Sequence, residues 1–196
     1  MNKDTFKHAI ALTGGIATGK STVCNLLKKD GFLIIDADLI AHRLLDLHYK
    51  SIAAMFGEEY VEEKKVLRKK LGSIIFSDEK NKLKLESFIH PLIQKEIEKE
   101  ASVLEKMQKV YFIDIPLFYE KMHYPISKCL LIYTPKDTQL KRLMNRDNID
   151  EKLALLKISN QMDIEEKKNK ADYIIDNSRN LEELKNEVVQ FTKEIL

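Results

Sequence analysis

The chain has little cysteine: its 196 residues contain only Cys24 and Cys129. Neither has a second cysteine or a histidine at the spacing of metal ligands, which excludes a cysteine-based metal site. Because free cysteine is among the most often buried residues, we expect both to be buried, reduced thiols.

Long apolar runs are also missing. No stretch approaches the roughly 18–20 apolar residues of a membrane span, and the apolar stretch near residue 10 is too short for a signal-peptide core. With so little cysteine, this predicts a cytoplasmic protein with no membrane partner. Internal repeats, low-complexity stretches and Gly/Ser linkers are absent as well.

Neither sign of charge is in excess. Lys and Arg number 33 and Asp and Glu 31, a net charge of +2, so the balance indicates neither nucleic acid nor membrane as a partner. A basic cluster at Lys64–Lys70 suits an anionic substrate, and the lack of interleaved aromatics argues against nucleic acid. The length suits one compact domain with room for an inserted lobe, and we expect a monomer.

Short apolar runs rich in β-branched residues recur along the chain. Runs without polar alternation are typical of strands buried on both faces of a parallel sheet. Helical patterns lie between them, and the first ends at Gly31, a residue type favoured just after helices. The sequence therefore predicts an α/β, three-layer fold with a five-stranded parallel sheet. The predicted strands are His8–Thr13, Phe32–Asp36, Val110–Phe118, Lys128–Thr134 and Asp172–Asn177.

Two segments interrupt this alternation. Residues 39–109 show no clear strand and several amphipathic patterns, so we interpret them as a helical substrate lobe. Within this lobe, Pro91 disfavours the α conformation at His90 and predicts a break between helices. Residues 136–170 are helical and highly charged, which fits either a lid over the site or a solvated helical face. The predicted core comprises residues 1–38, 110–135 and 171–196.

The stretch GGIATGKST carries the strongest functional signal. It satisfies G-x-x-x-x-G-K-[ST] between a predicted strand and a predicted helix. Glycines let the backbone turn tightly and direct N–H groups onto phosphate oxygens, and the positive end of the helix favours an anion. Lys20 can reach the β- and γ-phosphates, and the Ser21 hydroxyl can ligate Mg²⁺. The predicted triphosphate-binding residues are Gly14, Gly15, Ile16, Ala17, Thr18, Gly19, Lys20, Ser21 and Thr22.

Such a loop does not identify the reaction. A switch GTPase needs a guanine-reading N-K-x-D after a strand, and the chain contains NKAD at Asn169–Asp172. A charged helical stretch precedes this NKAD, and no D-x-x-G switch element accompanies it. We therefore interpret it as a coincidence.

Two carboxylates follow the second predicted strand. Asp36 and Asp38 are two residues apart, so an extended chain would direct both the same way. Ligands gather at the carboxyl ends of parallel strands. One carboxylate could orient metal-bound water, and the other could accept the proton of an attacking hydroxyl. The alternative is that Asp38 caps the following helix.

Other charged residues follow the third and fourth predicted strands. Asp114 either assists the water shell of Mg²⁺ or is a satisfied buried acid, and Glu120 either serves the site or is a surface charge. Arg142 and Arg146 lie four residues apart on one helix face, which suits a lid closing on transferring phosphates. The alternative for at least one of them is a surface pair with a neighbouring acid, Asp147 or Glu151.

In order and spacing, these motifs resemble the dephospho-coenzyme A kinase family almost end to end. The resemblance runs through ALTGGIATGKST, IDADLIAHRLL, FIHPLI, IPLFYE, QLKRLMNRD and ADYIIDN. It implies a P-loop kinase fold with a core, a helical coenzyme-binding domain and a lid. It also implies ATP- and Mg²⁺-dependent phosphorylation of the ribose 3′-hydroxyl of dephospho-coenzyme A, the last step of coenzyme A synthesis. The rival functions are a nucleoside monophosphate kinase and a P-loop NTPase switch without an acceptor.

The resemblance also implies roles for single residues. Asp38 resembles the catalytic base, and Asp36 would lie near metal and substrate. Lys20 and Arg142 are expected to act in catalysis, and Ser21 to bind the metal. Besides Asp36 and Asp38, the expected substrate-binding residues are Arg68, His90 and Glu120. Besides the loop, the expected nucleotide-binding residues are Arg146 and Asn177.

The chain departs from the family pattern at several positions. Ala17 and Thr18 stand where the family usually has Gly-Ser, so Ala17 is expected to avoid a positive φ. Tyr119 changes the usual sequence after Pro116, and His42 replaces an arginine.

Overall fold

The structure is a computed structural model that describes residues 6–120 and 124–196. Residues 1–5 and 121–123, which fall within the predicted core segments, lie outside the described residues. The chain divides into a sheet unit, which ends at Ile35 and resumes from Ala101 to Leu196, and a helical unit, Asp36–Glu100. Within the described ranges, no helix is both long and apolar enough to cross a bilayer.

The five strands of the main sheet lie within the predicted apolar runs or one residue beyond them, and the third is shorter than predicted, since it ends at Asp114 rather than Phe118. In chain order the helices and strands are β1 (Ala9–Gly14), α1 (Lys20–Lys29), β2 (Ile34–Asp36), α2 (Ala37–Leu47), α3 (Tyr49–Phe56), a 3₁₀ turn (Glu58–Tyr60), β3 (Val61–Glu62), β4 (Lys65–Val66), α4 (Arg68–Ser77), α5 (Glu79–Glu105), β5 (Tyr111–Asp114), β6 (Lys128–Tyr133), α6 (Lys136–Asp147), α7 (Glu151–Ser159), α8 (Ile164–Lys170), β7 (Tyr173–Asp176) and α9 (Leu181–Ile195).

The main sheet has five strands in the order β2-β5-β1-β6-β7. Strand β1 pairs in parallel with β5 and with β6, and β6 pairs in parallel with β7. All six residues of β1 are buried, because this central strand is covered on both faces. The predicted five-stranded parallel α/β fold is confirmed.

Helices cover the sheet on both sides. On one face, Val23 and Leu27 of α1 and Val188 and Phe191 of α9 pack in a cluster with apolar residues of the strands. On the other face, Ile164 of α8 packs against strand β6. Burying such side chains stabilises the fold by about 1.5–3 kcal/mol each, and the packing gives the predicted three layers.

The helical unit has its own small core, centred on Ile52, Val66 and Leu71. The prediction of no strand in residues 39–109 is wrong, since β3 and β4 pair as an antiparallel hairpin. Its turn residues Glu63 and Lys64 have φ of 48° and 63°. Strands of two residues show no readable alternation, and the turn lacks the glycine that usually signals a hairpin.

Helix α5 runs without interruption through Pro91. The predicted break at His90 is therefore wrong. Ile89, Ile93 and Ile97 recur every fourth residue and are 6%, 8% and 0% exposed. The burial of this apolar stripe outweighs the cost of proline inside a helix, about 3 kcal/mol.

Candidate active site

The segment Gly14–Thr22, here called the phosphate loop, connects β1 to α1 at the carboxyl edge of the central strand. Gly19 has a φ of 86° and Ala17 a φ of 60°. The expectation that Ala17 avoids a positive φ is wrong. The tight turn requires the left-handed conformation there, at a cost of about 1–2 kcal/mol for a residue with a Cβ. Thr18 closes the turn, since its hydroxyl donates to Gly15 O at 2.9 Å.

Buried polar side chains hold the loop from behind. The Asn177 amide donates to Thr18 O at 2.8 Å, and the Thr134 hydroxyl lies 3.2 Å from the same oxygen. A Cβ on Gly19 would clash with the Asn177 amide nitrogen, so this position requires glycine. Asn177 therefore supports the loop backbone, and its predicted contact with the nucleotide stays a prediction.

Lys20 is paired within the sheet unit. Its Nζ lies 2.5 Å and 2.6 Å from the two carboxylate oxygens of Asp114, the last residue of β5. Asp114 is 7% exposed, so its carboxylate is a satisfied buried acid in this arrangement. The pair fixes the side chain of Lys20, the first residue of α1.

Both cysteines are buried, as predicted. Burial, with the nearby Asp114 carboxylate, raises the pKa of the Cys24 thiol to about 12. Burial likewise raises the pKa of Cys129 to about 12. Both side chains are therefore unreactive thiols near neutral pH.

The two arginines of the predicted lid lie in different surroundings. Arg142 Nη1 lies 3.4 Å from the Thr134 hydroxyl, beside the buried support of the loop. Arg146 is exposed and its Nε donates to Asp147 Oδ1 at 2.8 Å, so the surface pair considered above exists for Arg146. Hydrogen bonds, the larger effect from Arg146 and the smaller from Lys157, lower the pKa of Asp147 to about 2.

Glu120 is not a simple surface charge. Its Oε1 lies 2.8 Å from Nζ of Lys167, and it accepts the N–H of Met162 at 3.0 Å. Lys167 is 0% exposed and also donates to Gly14 O at 3.1 Å. Lys167 is not among the predicted site residues, because nothing in the run EEKKNK distinguishes one lysine from the others.

Two glutamines at the loop were also missed. Gln161 Oε1 accepts the N–H of Ile16 at 2.8 Å. Gln139 is 2% exposed and its amide donates to Thr134 O at 2.7 Å. Single glutamines in helical, charged sequence carry no local signal of such contacts.

The sequence NKAD lies where α8 ends. Its Asp172 accepts the backbone N–H of Cys129 at 2.8 Å, which is a structural role. This supports its interpretation as a coincidence.

The carboxylates after β2 are arranged differently from the prediction. Asp36 is the N-cap of α2 and accepts the N–H of Leu39 at 2.9 Å, whereas Asp38 lies in the first helical turn. The two do not share an extended segment, and the cap is Asp36 rather than Asp38. A carboxylate accepts free N–H groups at a helix start, so the strand ends at the first aspartate.

The other predicted substrate residues lie in the helical unit. Arg68 begins α4, and its Nη1 lies 3.2 Å from Asp46 Oδ2. His90 is partly buried within α5. Their predicted roles toward the substrate stay predictions.

Comparison with known proteins agrees with this architecture. The model of the family Dephospho-CoA kinase matches residues 8–183. A dephospho-CoA kinase of Helicobacter pylori (strain J99) is 49% identical over 194 residues, covering 97% of this chain and 98% of the relative. One from Campylobacter jejuni (strain RM1221) is 40% identical over 195 residues, covering 96% of this chain and 97% of the relative.

Solved structures are similar over the same extent. The dephospho-CoA kinase from Campylobacter jejuni has a TM-score of 0.77 at 39% identity, covering 96% of each chain. TT1252 from Thermus thermophilus has a TM-score of 0.82 at 30% identity, covering 96% of this chain and 97% of the other. The family resemblance read from the motifs is confirmed, and the chain belongs to the dephospho-CoA kinase family.

Proposed function

We propose that the protein transfers the γ-phosphoryl group of ATP to the 3′-hydroxyl of the ribose in dephospho-coenzyme A, the last step of coenzyme A synthesis. The observation that carries this proposal is the complete phosphate loop, folded between a buried strand and a helix start, in a member of this kinase family. We further propose that the enzyme acts in the cytoplasm and that it is a monomer. Light scattering of the purified protein would test the monomeric state.

The phosphate loop binds the tail of ATP. Its backbone N–H groups and the N-terminus of α1 attract phosphate oxygens, and the Lys20 ammonium faces the β- and γ-phosphates. The Asp114 carboxylate keeps Lys20 oriented before the nucleotide arrives. Catalysis of phosphoryl transfer rests mainly on such positioning and charge stabilisation.

The residues at the loop fit Mg²⁺. The exposed Ser21 hydroxyl is an oxygen ligand of the kind that this ion prefers, and Asp114, whose two oxygens bind Lys20, would act only through the water shell of the ion. Among residues 6–120 and 124–196, no three His, Cys, Asp or Glu side chains form a metal cluster, and in kinases phosphates and water usually complete the shell. When bound, the ion would neutralise charge on the phosphates.

The acceptor hydroxyl is deprotonated by Asp38. In the transfer, the ribose oxygen bonds to the γ-phosphorus, the bond from that phosphorus to the β–γ bridging oxygen breaks, and ADP leaves. The hydroxyl proton passes to the Asp38 carboxylate, and Lys20 and Arg142 stabilise the charge on the transferring group. The proposed supporting contacts are those of Arg146 and Asn177 with the nucleotide, and those of Asp36, Arg68, His90 and Glu120 with the substrate.

An acceptor panel with ATP labelled in the γ-position tests this function. We expect label transfer to dephospho-coenzyme A, with the new phosphate at the ribose 3′ position by NMR. Nucleoside monophosphates and water should accept little. Transfer to a nucleoside monophosphate in preference, or hydrolysis that ignores every acceptor, would contradict the proposal.

A further inference from the structure

Helix α8 and the turn before it contact the phosphate loop through side chains that the loop motif does not include. Lys167 donates to Gly14 O at 3.1 Å, and Gln161 Oε1 accepts the N–H of Ile16 at 2.8 Å. These contacts belong to two consecutive peptide units, Gly14–Gly15 and Gly15–Ile16. Because a peptide unit is planar, fixing its carbonyl also fixes the direction of its N–H, and the reverse.

Burial of Lys167 is unusual for a lysine in a charged helix. Its side chain is 0% exposed, whereas lysine is almost never fully buried unless paired. The partner is Glu120, whose Oε1 lies 2.8 Å from the ammonium. Buried ion pairs often add little stability compared with apolar residues of similar size. Stability alone is therefore a weak reason for a charge at this place.

We propose that Lys167, held by Glu120 and assisted by Gln161, is a positioning residue for the phosphate loop. Lys167 fixes the Gly14–Gly15 peptide and Gln161 fixes the next one, which sets the path of the loop, so that its remaining N–H groups meet the nucleotide phosphates. The proposal rests on the proposed function only in requiring that this loop binds the phosphates of ATP. It gives helix α8 a part in nucleotide binding without direct contact with the nucleotide.

Nucleotide binding without any acceptor tests this proposal. The variant is Lys167→Met combined with Glu120→Gln, which avoids leaving a buried charge unpaired. Lys185→Met, at an exposed position of α9, is the matched control. Dissociation constants for ATP and AMP are measured by calorimetry at a temperature where circular dichroism shows folded protein.

We expect the double variant to bind ATP about tenfold more weakly or worse, while AMP, which lacks β- and γ-phosphates, loses much less. The control should match the parent protein. Gln161→Leu, which carries no charge change, should show the same selectivity even if the double variant fails to fold. Equal losses for ATP and AMP, or an unchanged ATP constant in folded protein, would show that these residues serve stability only. Since no acceptor is present, an error in the proposed acceptor would leave this result unchanged.

Discussion

The phosphate loop and the helical unit hold their polar residues in different ways. Around the loop, the carbonyls of Gly14 and Thr18 are bound by the buried side chains of Lys167 and Asn177. In the helical unit, Arg68 pairs with Asp46 while 46% of the arginine side chain stays exposed. Buried partners fix one arrangement before a ligand arrives, whereas an exposed ion pair contributes about 0–1 kcal/mol and is readily exchanged. The loop is thus preorganised, whereas the Arg68–Asp46 pair of the helical unit can be exchanged for other partners.

Thiol reactivity offers the largest contrast between the two regions. Burial holds the pKa of Cys24 and Cys129 at about 12, and only the thiolate reacts. Near pH 8 we expect iodoacetamide to label them about 10³-fold more slowly than an exposed thiol with a pKa of about 8.5. The reference thiol is introduced by Ser73→Cys on the exposed face of α4. Mass spectrometry follows the labelling, and denaturant should abolish the difference between the rates of the buried and exposed thiols. Equal rates in the folded protein would mean that the loop region opens readily.

Lys20→Ala should have the largest effect on activity. It removes the ammonium that we propose faces the transferring phosphate, and losing one preorganised donor costs about 10²–10³-fold in turnover. Steady-state kinetics with dephospho-coenzyme A measure this, with Lys29→Ala, exposed near the end of α1, as the control. Near-normal turnover in folded Lys20→Ala would refute a phosphate-binding role for this lysine.

Asn177→Ala should lower the free energy of unfolding more than Arg68→Ala. The first removes one of the two buried donors near the Thr18 carbonyl and leaves the Thr134 hydroxyl, which costs about 1–3 kcal/mol in the free energy of unfolding. The second breaks an exposed ion pair, which costs at most about 1 kcal/mol, because Asp46 keeps the N–H of Val66 as a donor. Urea unfolding of both variants measures the difference. Equal costs would remove the distinction between a preorganised loop and an adaptable helical unit.

Ala17→Gly should have the smallest effect. Glycine relieves the left-handed strain at a φ of 60°, but it loses more backbone entropy on folding, so the net change should be within about 1 kcal/mol. The control Ala54→Gly, at an exposed helical position of α3, should cost about 1 kcal/mol. A larger loss at Ala17 than at Ala54 would mean that the alanine methyl group makes a needed contact.

The same contrast explains what the sequence could predict. The phosphate loop and the five strands depend on local chemistry, glycine turns and unbroken apolar runs, and these are readable from neighbouring residues. Lys167 and Gln161 reach the loop from about 150 residues away in sequence. No local pattern distinguishes them, since only the packing of α8 on the sheet brings them to Gly14 and Ile16.

Two predictions for the helical unit were wrong for different reasons, one for tertiary packing and one for local capping. Pro91 lies within a continuous helix because the isoleucines on its buried face hold α5 together. Asp36 ends its strand by capping α2, so the two aspartates do not share an extended segment. At Pro91, the preference of proline to break a helix was outweighed by packing. After β2, a capping aspartate was correctly considered, but the cap is Asp36 and not Asp38.

The most direct test of the account is the behaviour of Asp38→Asn, measured beside Lys20→Ala. We propose that the loop binds the nucleotide while Asp38 accepts the proton of the acceptor hydroxyl. We predict that Asp38→Asn slows single-turnover transfer to dephospho-coenzyme A by about 10²-fold or more and leaves the ATP dissociation constant unchanged, whereas Lys20→Ala impairs both. Transfer at the parent rate by Asp38→Asn would contradict the account.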